Sequence, residues 1–120
     1  MSAGILIVDD DSEVRAVLSR KMEQCGHHVT VAADGAEAIT QLEQVSFDLA
    51  ITDIVMPEMD GLTVIRFIRR QAPGTKIIAM SAPSDDDVLQ SAAKLGAHRT
   101  LEKPFTLDEL ADAVDALLAG

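Results

Sequence analysis

Four strand-like segments of this chain each end in polar residues that could take part in chemistry. In an open parallel α/β sheet, ligands bind outside the carboxyl ends of the strands. If the four segments belong to one such sheet, they bring carboxylates, a hydroxyl and an ammonium group to one edge of the molecule. That combination suits a divalent cation together with a phosphoryl group. The segments and the residues that follow them are 5–8 with Asp9, Asp10 and Asp11, 49–52 with Asp53, 77–80 with Ser81, and 100–102 with Lys103.

The elements that must position these residues alternate from strand to helix along the chain. Short segments rich in Val, Ile and Leu are typical of buried strands, and apolar residues spaced three or four apart are typical of helices. Strands are predicted at 4–9, 28–32, 47–52, 76–80 and 99–102. Helices are predicted from Asp11 or Ser12 to about 24, at 35–44, from 62 to before Pro73, from a Ser84 cap to 95, and at about 107–118.

Five strand–helix repeats joined by right-handed crossovers predict an α/β fold of the flavodoxin-like class. This is a doubly wound three-layer sandwich, with five helices and a five-stranded parallel sheet in the order 2-1-3-4-5. The 120 residues contain no linker, internal repeat or low-complexity segment, so residues 1–120 are predicted to form a single domain. Helical periodicity places Val17 and Cys25 on the buried face of the first helix, and Ala36 on that of the second.

Composition narrows the classes of function. The formal net charge is −10, which makes nucleic acid or an anionic membrane a poor direct partner for this domain. The lone Cys25 excludes an internal disulfide and fits a reducing compartment. No apolar run approaches the roughly 20 residues that span a bilayer, and acidic residues interrupt the apolar run after Val8, unlike in a signal peptide. A cytoplasmic protein is therefore expected.

The three adjacent aspartates at 9–11 have two explanations. Negative charge is favoured at a helix N-terminus, so simple capping could account for them. However, Asp11 or Ser12 suffices for the cap, which leaves Asp9 and Asp10 unexplained. Mg²⁺ is typically held by one or two carboxylates together with phosphate and water oxygens. We therefore predict that Asp9 and Asp10 contribute to a metal pocket.

Asp53 is predicted to share that pocket, because strands one and three are neighbours at the topological switch point of this fold. A carboxylate beside a divalent cation can act as a nucleophile toward phosphorus and form an aspartyl phosphate. Lys103 lies between a strand and Pro104, so its ammonium can be aimed into the same crevice. We expect Lys103 to pair with Asp53 when the crevice holds no phosphoryl group. Ser81 adds a hydroxyl.

Four motifs, in this order and spacing, resemble those of bacterial response-regulator receiver domains, of which the chemotaxis regulators are a type. They are ILIVDDD at 5–11, ITDIVMPEMDG at 51–61, MSA at 80–82 and EKPF at 102–105. The resemblance covers essentially the whole chain. It implies a phosphoacceptor signalling domain of a two-component phosphorelay rather than an enzyme, one that assists its own phosphorylation and dephosphorylation.

The resemblance also implies individual roles. Asp53 is the phosphoacceptor, and Asp9 and Asp10 form an acidic Mg²⁺ pocket. In that pocket Asp10, Asp53 and the backbone carbonyl of Val55 are the direct ligands. The phosphoryl donor is a phosphohistidine on a sensor histidine kinase or a histidine phosphotransfer protein.

The remaining implied roles concern the phosphoryl group and the switch. Ser81 hydrogen-bonds the phosphoryl group, Lys103 contacts a phosphoryl oxygen, and the bond from Lys103 to Pro104 is cis. Output passes through the surface of the fourth helix, fifth strand and fifth helix to a downstream protein, with a phosphorylation-dependent homodimer as one alternative. The family's switch position often holds an aromatic residue, whereas here it is Thr100, so an aromatic ring cannot report phosphorylation.

Two other readings of the residues stay open at this point. Asp9 and Asp11 have the Asp-x-Asp spacing of the nucleophile and general acid in haloacid-dehalogenase-like phosphatases. A degenerate receiver serving only as an interaction module would explain Thr100 but conflicts with the intact acids. The chain suits both a stand-alone regulator and a part of a longer protein.

Overall fold

The protein is described here from a computed structural model, which covers residues 2–56, 59–82 and 86–120. Its strands are β1 (Gly4–Val8), β2 (His28–Ala32), β3 (Leu49–Asp53), β4 (Lys76–Ser81) and β5 (Arg99–Glu102). Its helices are α1 (Ser12–Gln24), α2 (Gly35–Gln44), α3 (Gly61–Gln71), α4 (Asp86–Leu95) and α5 (Leu107–Ala119). Each helix follows a strand, as the alternating sequence pattern predicts.

The five strands form one parallel sheet in the order β2-β1-β3-β4-β5, which confirms the predicted topology. The register pairs Val8 with Thr52. It also pairs Asp53 with Met80, and Ser81 with Glu102. The carboxyl ends of β1, β3, β4 and β5 therefore lie side by side, and the polar residues that follow them share one edge of the sheet.

Two apolar clusters, one on each face of the sheet, form the core. Successive strand residues point to opposite faces, so Ile5, Ile7 and Ile51 pack with α1 and α5, whereas Leu6 and Ala50 pack with α2, α3 and α4. This arrangement explains why the central strands are apolar at nearly every position, as expected for a sheet covered on both faces. It holds the central strands rigidly beneath the polar edge.

Side chains at the helix starts fix where the chain turns from loop to helix. The Asp11 carboxylate accepts hydrogen bonds from the backbone N–H groups of Glu13 and Val14, so Asp11 rather than Ser12 is the N-cap of α1. Asp60 caps α3 in the same way. Thr106 begins a full capping box before α5. The predicted Ser84 cap of α4 lies outside the described residues.

Three predicted core positions are wrong. Cys25 is exposed, because α1 ends at Gln24 and Cys25 is the C-cap residue beyond its buried stripe. Val17 is 48 % exposed, since that stripe runs through Leu18 and Met22 at a spacing of four. Ala36 is exposed and Ala38 is buried instead.

The element bounds also differ slightly from those predicted. β3 begins at Leu49 rather than at position 47, and β4 includes Ser81. Gly26 and Gly96 have positive φ values of 92° and 118° after α1 and α4, a conformation in which glycine commonly ends a helix. Within the described part of the chain, every helix is too short or too polar to cross a membrane.

Candidate functional site

Three carboxylates converge at the carboxyl ends of β1 and β3. Asp9, Asp10 and Asp53 each place one carboxylate oxygen within 4.8 Å of the others. Asp9 is 1 % exposed and Asp53 is 7 % exposed, whereas Asp10 is open to solvent. The three side chains meet because β1 and β3 are adjacent in the sheet, as the topological argument predicts. Carboxylate oxygens in such a cluster are the ligands that Mg²⁺ prefers.

Asp9 is held by hydrogen bonds on every polar group that it offers. Its backbone N–H donates to the carbonyl of Ala32 at 3.2 Å, and its own carbonyl accepts from Arg15 Nη1 at 2.8 Å. In the side chain, Oδ1 accepts from the Asp11 N–H at 2.9 Å, and Oδ2 accepts from Lys103 Nζ at 3.1 Å. Asp9 is thus held in a fixed orientation at one side of the pocket.

Asp53 is anchored through its backbone and one carboxylate oxygen. Its Oδ1 accepts from the Ile54 N–H at 2.9 Å, and its carbonyl accepts from Thr52 Oγ1 at 2.8 Å. Its Oδ2 lies 3.5 Å from Lys103 Nζ. The carboxylate is therefore oriented toward the lysine.

Lys103 bridges two of the acids. Its ammonium pairs with Asp53, as expected from the sequence, but it lies closer to Asp9, at 3.1 Å against 3.5 Å. Burial lowers the pKa of Lys103, but the carboxylates of Asp53 and Asp9 outweigh burial and the pKa is raised. The backbone N–H of Lys103 donates to the carbonyl of Ser81 at 2.7 Å, and the bond to Pro104 is cis. Lys103 therefore stays a cation and faces the acids.

The electrostatics of the pocket favour an added positive charge. Burial raises the pKa of Asp53 to about 6; the Lys103 ammonium opposes this shift, and the Asp9 and Asp10 carboxylates add to it. One ammonium therefore does not neutralise the three carboxylates. A divalent cation bound by the same oxygens would favour the ionised form of Asp53. The donor set fits Mg²⁺ by charge and by ligand type.

The raised pKa of Asp53 has a testable consequence. Its pKa is about 6 in the folded protein and about 3.8 unfolded, so its contribution to stability is fully present below 3.8 and is lost as the pH rises through 6. In Mg²⁺-free buffer, Asp53→Asn should therefore raise the melting temperature more at about pH 7.5 than at about pH 5. Burial, Lys76 and Arg69 lower the pKa of His98, so its contribution to stability changes with pH in the opposite direction. His98 is present in both proteins, and its contribution therefore cancels from the difference in melting temperature.

Thermal denaturation of both proteins across this pH range measures the difference. A difference in melting temperature that is constant with pH would show that Asp53 does not titrate in this window.

The other residues singled out in the sequence lie around this edge. Ser81 is the buried last residue of β4, next in the chain to Met80, which pairs with Asp53. Thr100 is half-buried in β5 and pairs with Ala79. Val55 is 53 % exposed, whereas its neighbour Ile54 is buried. The structure thus brings Asp9, Asp10, Asp53 and Lys103 together and puts Ser81 at the end of the adjoining strand.

Three residues that shape the site were given no individual role from the sequence. Arg15 reaches back from α1 to the Asp9 carbonyl, and the Thr52 hydroxyl holds the Asp53 carbonyl. Gly61, the first residue of α3, packs directly against the backbone of Asp53.

The fold and the site together define a doubly wound α/β protein with an acidic cluster and a lysine at its topological switch point. Residues 5–115 match the family model of the response regulator receiver domain. The chain belongs to this family, which confirms the resemblance seen in its motifs, and it is a receiver domain of the response regulators of two-component systems.

Named relatives agree with this assignment. The chain is 38 % identical over 120 residues to the DNA-binding transcriptional regulator NtrC of Escherichia coli K12, covering 99 % of this chain and 26 % of NtrC. It is 38 % identical over 117 residues to the transcriptional regulatory protein PrrA of Mycobacterium tuberculosis, covering 98 % of this chain and 50 % of PrrA. The chain thus spans only a quarter to a half of these relatives.

A solved structure extends the similarity to the fold. The response regulator TrrA of Thermotoga maritima, crystallised with Mg²⁺ and BeF, superposes with a TM-score of 0.84 at 33 % identity, covering 95 % of this chain and 97 % of TrrA. NtrC is named as a DNA-binding regulator. The relatives therefore do not support the expectation that nucleic acid is a poor partner.

Proposed function

We propose that residues 1–120 form one receiver domain that switches by Mg²⁺-dependent phosphoryl transfer to Asp53. The donor is the phosphohistidine of a sensor kinase or of a histidine phosphotransfer protein. The observation that carries this proposal is the convergence of the Asp53 carboxylate with two further carboxylates, at mutual distances within 4.8 Å, and with the Lys103 ammonium at 3.5 Å. A nucleophile, acidic oxygen ligands and a fixed cation are together in one crevice.

In the proposed reaction a carboxylate oxygen of Asp53 attacks phosphorus while the bond between phosphorus and the donor imidazole nitrogen breaks. The bonding electrons return to that nitrogen, which leaves as part of a neutral imidazole after taking up a proton. Asp53 is prepared for attack because the Ile54 N–H and the Thr52 hydroxyl fix its position. The transfer needs little reorganisation of the protein at this residue.

The other residues act on charge. Lys103, which pairs with Asp53 and Asp9 before transfer, is placed to contact an oxygen of the phosphoryl group afterwards. Ser81, at the end of the adjoining strand, can donate a hydrogen bond to the same group. Mg²⁺, held by Asp10, Asp53 and the Val55 carbonyl with Asp9 alongside, would neutralise phosphoryl charge and lower the repulsion against the attacking carboxylate.

The proposal is tested by intact mass spectrometry after incubation with a small-molecule phosphodonor, with Mg²⁺ or with a chelator. We expect one phosphoryl group per chain with Mg²⁺ and none with the chelator. Mg²⁺ should also raise the melting temperature, since a ligand at 100 times its Kd stabilises the fold by about 2.7 kcal/mol. Asp10→Asn should weaken both effects, because it removes a ligand without disturbing a hydrogen-bonded core group. Equal labelling with Mg²⁺ and with chelator would contradict the metal requirement.

A groove beside the site supports the proposal that the donor protein docks there. It has a volume of about 460 Å³, with Lys103 at one end and the acidic residues Asp11 and Glu13 on its border. Its apolar lining residues are Val14, Val17, Leu18, Pro104, Phe105 and Leu107. Because the groove is continuous with the phosphoacceptor site, a donor that delivers its imidazole to Asp53 must cover it. An apolar helix face flanked by basic residues would complement it.

Val17 offers a sharp test of this docking surface, because it lines the groove and is 48 % exposed. Val17→Asp should slow phosphotransfer by roughly tenfold or more from whichever autophosphorylated histidine kinase transfers fastest to the wild type in a profiling screen. Labelling by the small-molecule donor should not change. Val45, which is 49 % exposed and does not line the groove, provides the control Val45→Asp. Equal rates from the kinase to both variants would contradict docking here.

Output is proposed to pass through α4, β5 and α5 to a downstream protein, with a phosphorylation-dependent homodimer as the alternative. β5 carries Thr100 and ends beside Lys103, so it connects the site with this surface. The half-buried Thr100 hydroxyl replaces the aromatic ring often present at this position. A shift of Ser81 toward the phosphoryl group would be transmitted through the β4–β5 pairing.

A further inference from the structure

Arg15 makes a contact that the proposed reaction does not use. It lies in the first turns of α1, and its side chain folds back so that Nη1 donates to the backbone carbonyl of Asp9 at 2.8 Å. In the described part of the chain every ion pair involves a lysine, so the Arg15 guanidinium binds main chain rather than a carboxylate. An arginine beside an acidic pocket that bonds a main-chain carbonyl and no carboxylate calls for another explanation.

The contact acts on the peptide group that joins the first two acids of the pocket. The carbonyl of Asp9 and the N–H of Asp10 belong to one planar unit, so fixing the carbonyl also fixes the backbone of Asp10. Asp9 does not need this contact to orient its side chain, because Asp11 and Lys103 already hold both carboxylate oxygens.

The side chain of Asp10 differs from that of Asp9 in this respect. Over residues 2–56, 59–82 and 86–120 the exposed Asp10 side chain makes no hydrogen bond or ion pair, yet one of its oxygens lies within 4.8 Å of oxygens of Asp9 and Asp53. Its direction into the pocket is therefore set by the backbone on which it stands.

We infer that Arg15 is a positioning residue of the acidic pocket, which holds the Asp9–Asp10 peptide so that the Asp10 carboxylate faces Asp9 and Asp53. The inference rests on the proposed Mg²⁺ site. Groups that orient metal ligands from behind typically change metal affinity by roughly 10–100-fold when they are removed. Arg15 acts one step further back, since it bonds the carbonyl of the peptide group that leads into Asp10.

A simple charge effect predicts the opposite sign. The guanidinium carries a positive charge close to the pocket, and like charges repel. If Arg15 acted through its charge alone, its removal would strengthen the binding of a divalent cation. If it acts by positioning, its removal must weaken binding although the protein becomes more negative. The sign of the change therefore separates the two explanations.

The test is calorimetric titration of Mg²⁺ into the wild type, Arg15→Gln, Arg15→Lys and Arg20→Gln. Arg20 is an exposed arginine of the same helix, so Arg20→Gln is matched in charge and in residue type. We expect Arg15→Gln to weaken Mg²⁺ binding by roughly tenfold or more. Arg15→Lys keeps the charge and one donor and should bind between Arg15→Gln and the wild type. Arg20→Gln should stay within about twofold of the wild type, because an exposed surface charge is screened by solvent and salt.

The outcomes are distinguishable. Tighter or unchanged binding by Arg15→Gln overturns the positioning role. An equal loss in Arg20→Gln also overturns it, since the loss would then not depend on the contact between Arg15 and the Asp9 carbonyl. The stoichiometry of the titration reports the folded fraction, so a variant that folds poorly shows a lower stoichiometry. If Arg15→Gln folds poorly, the affinity of Arg15→Lys decides whether Arg15 has the positioning role. If the wild type binds no Mg²⁺, the proposed function itself fails, and the inference fails with it.

Discussion

Replacing Asp53 by Asn is expected to abolish the phosphoryl adduct completely. The amide has nearly the same size and can keep the hydrogen bond from the Ile54 N–H. However, it lacks the negative charge that makes the carboxylate a nucleophile toward phosphorus. The site would be otherwise intact, with Lys103 still paired to Asp9. Intact mass after incubation with Mg²⁺ and a small-molecule phosphodonor measures the result.

Asp9→Asn is the matched control, because it removes a second carboxylate of the same cluster. We expect it to label more slowly than the wild type but at the same residue, since Asp9 is bound by Lys103 and the Asp11 N–H rather than presented to a donor. In a haloacid-dehalogenase-like phosphatase Asp9, and not Asp53, would be the nucleophile, and Asp11 would be the general acid. An adduct that survives in Asp53→Asn and is lost in Asp9→Asn would support that reading.

The geometry already weighs against Asp11 as a general acid. Its Oδ1 accepts from the N–H groups of Glu13 and Val14 as the N-cap of α1. These hydrogen bonds direct the carboxylate toward the backbone of α1 and not toward a substrate. Asp11 thus has a structural role that is complete without catalysis.

Gly61→Ala is expected to destabilise the protein by about 1–3 kcal/mol and to reduce phosphorylation of Asp53. A Cβ at position 61 would contact the backbone carbonyl of Asp53 and would lie 2.7 Å from the Cα of Ile54. Both neighbours are backbone atoms at the end of a central strand, so neither can move without displacing Asp53. The hydrogen bond from the Gly61 N–H to the Ile54 carbonyl, at 2.8 Å, holds the same close approach.

Gly74→Ala is the control for this substitution. A Cβ at Gly74 meets no atom within 4 Å. The same change of residue should therefore alter the free energy of unfolding by at most about 1 kcal/mol, in either direction. Urea denaturation of both variants and the wild type gives the two values, and the rate of labelling by the phosphodonor reports the effect on Asp53. Equal stability of the two variants would show that the backbone at Asp53 yields easily.

The fold could be predicted from the sequence because its signals are local. The alternation of apolar strands with helices of period 3.6, the capping residue Asp11, and the glycines at 26 and 96 each act within a few residues. The handedness of crossovers then leaves few topologies. The errors lie where locality fails: Val17 and Cys25 repeat the helical period of α1, but the width of the buried stripe and the end of the helix depend on what packs against it.

For the site, the sequence by itself determined which chemical groups stand at the edge of the sheet. Strand order follows from pattern and topology, and a residue after a strand has nowhere else to lie. Only the tertiary structure decided which groups touch. That Lys103 lies nearer Asp9 than Asp53, that Arg15 holds the Asp9 carbonyl, and that Gly61 must lack a side chain all depend on distances between segments far apart in the chain. Such distances are set by the packing of the whole core, which cannot be inferred from any short stretch of sequence.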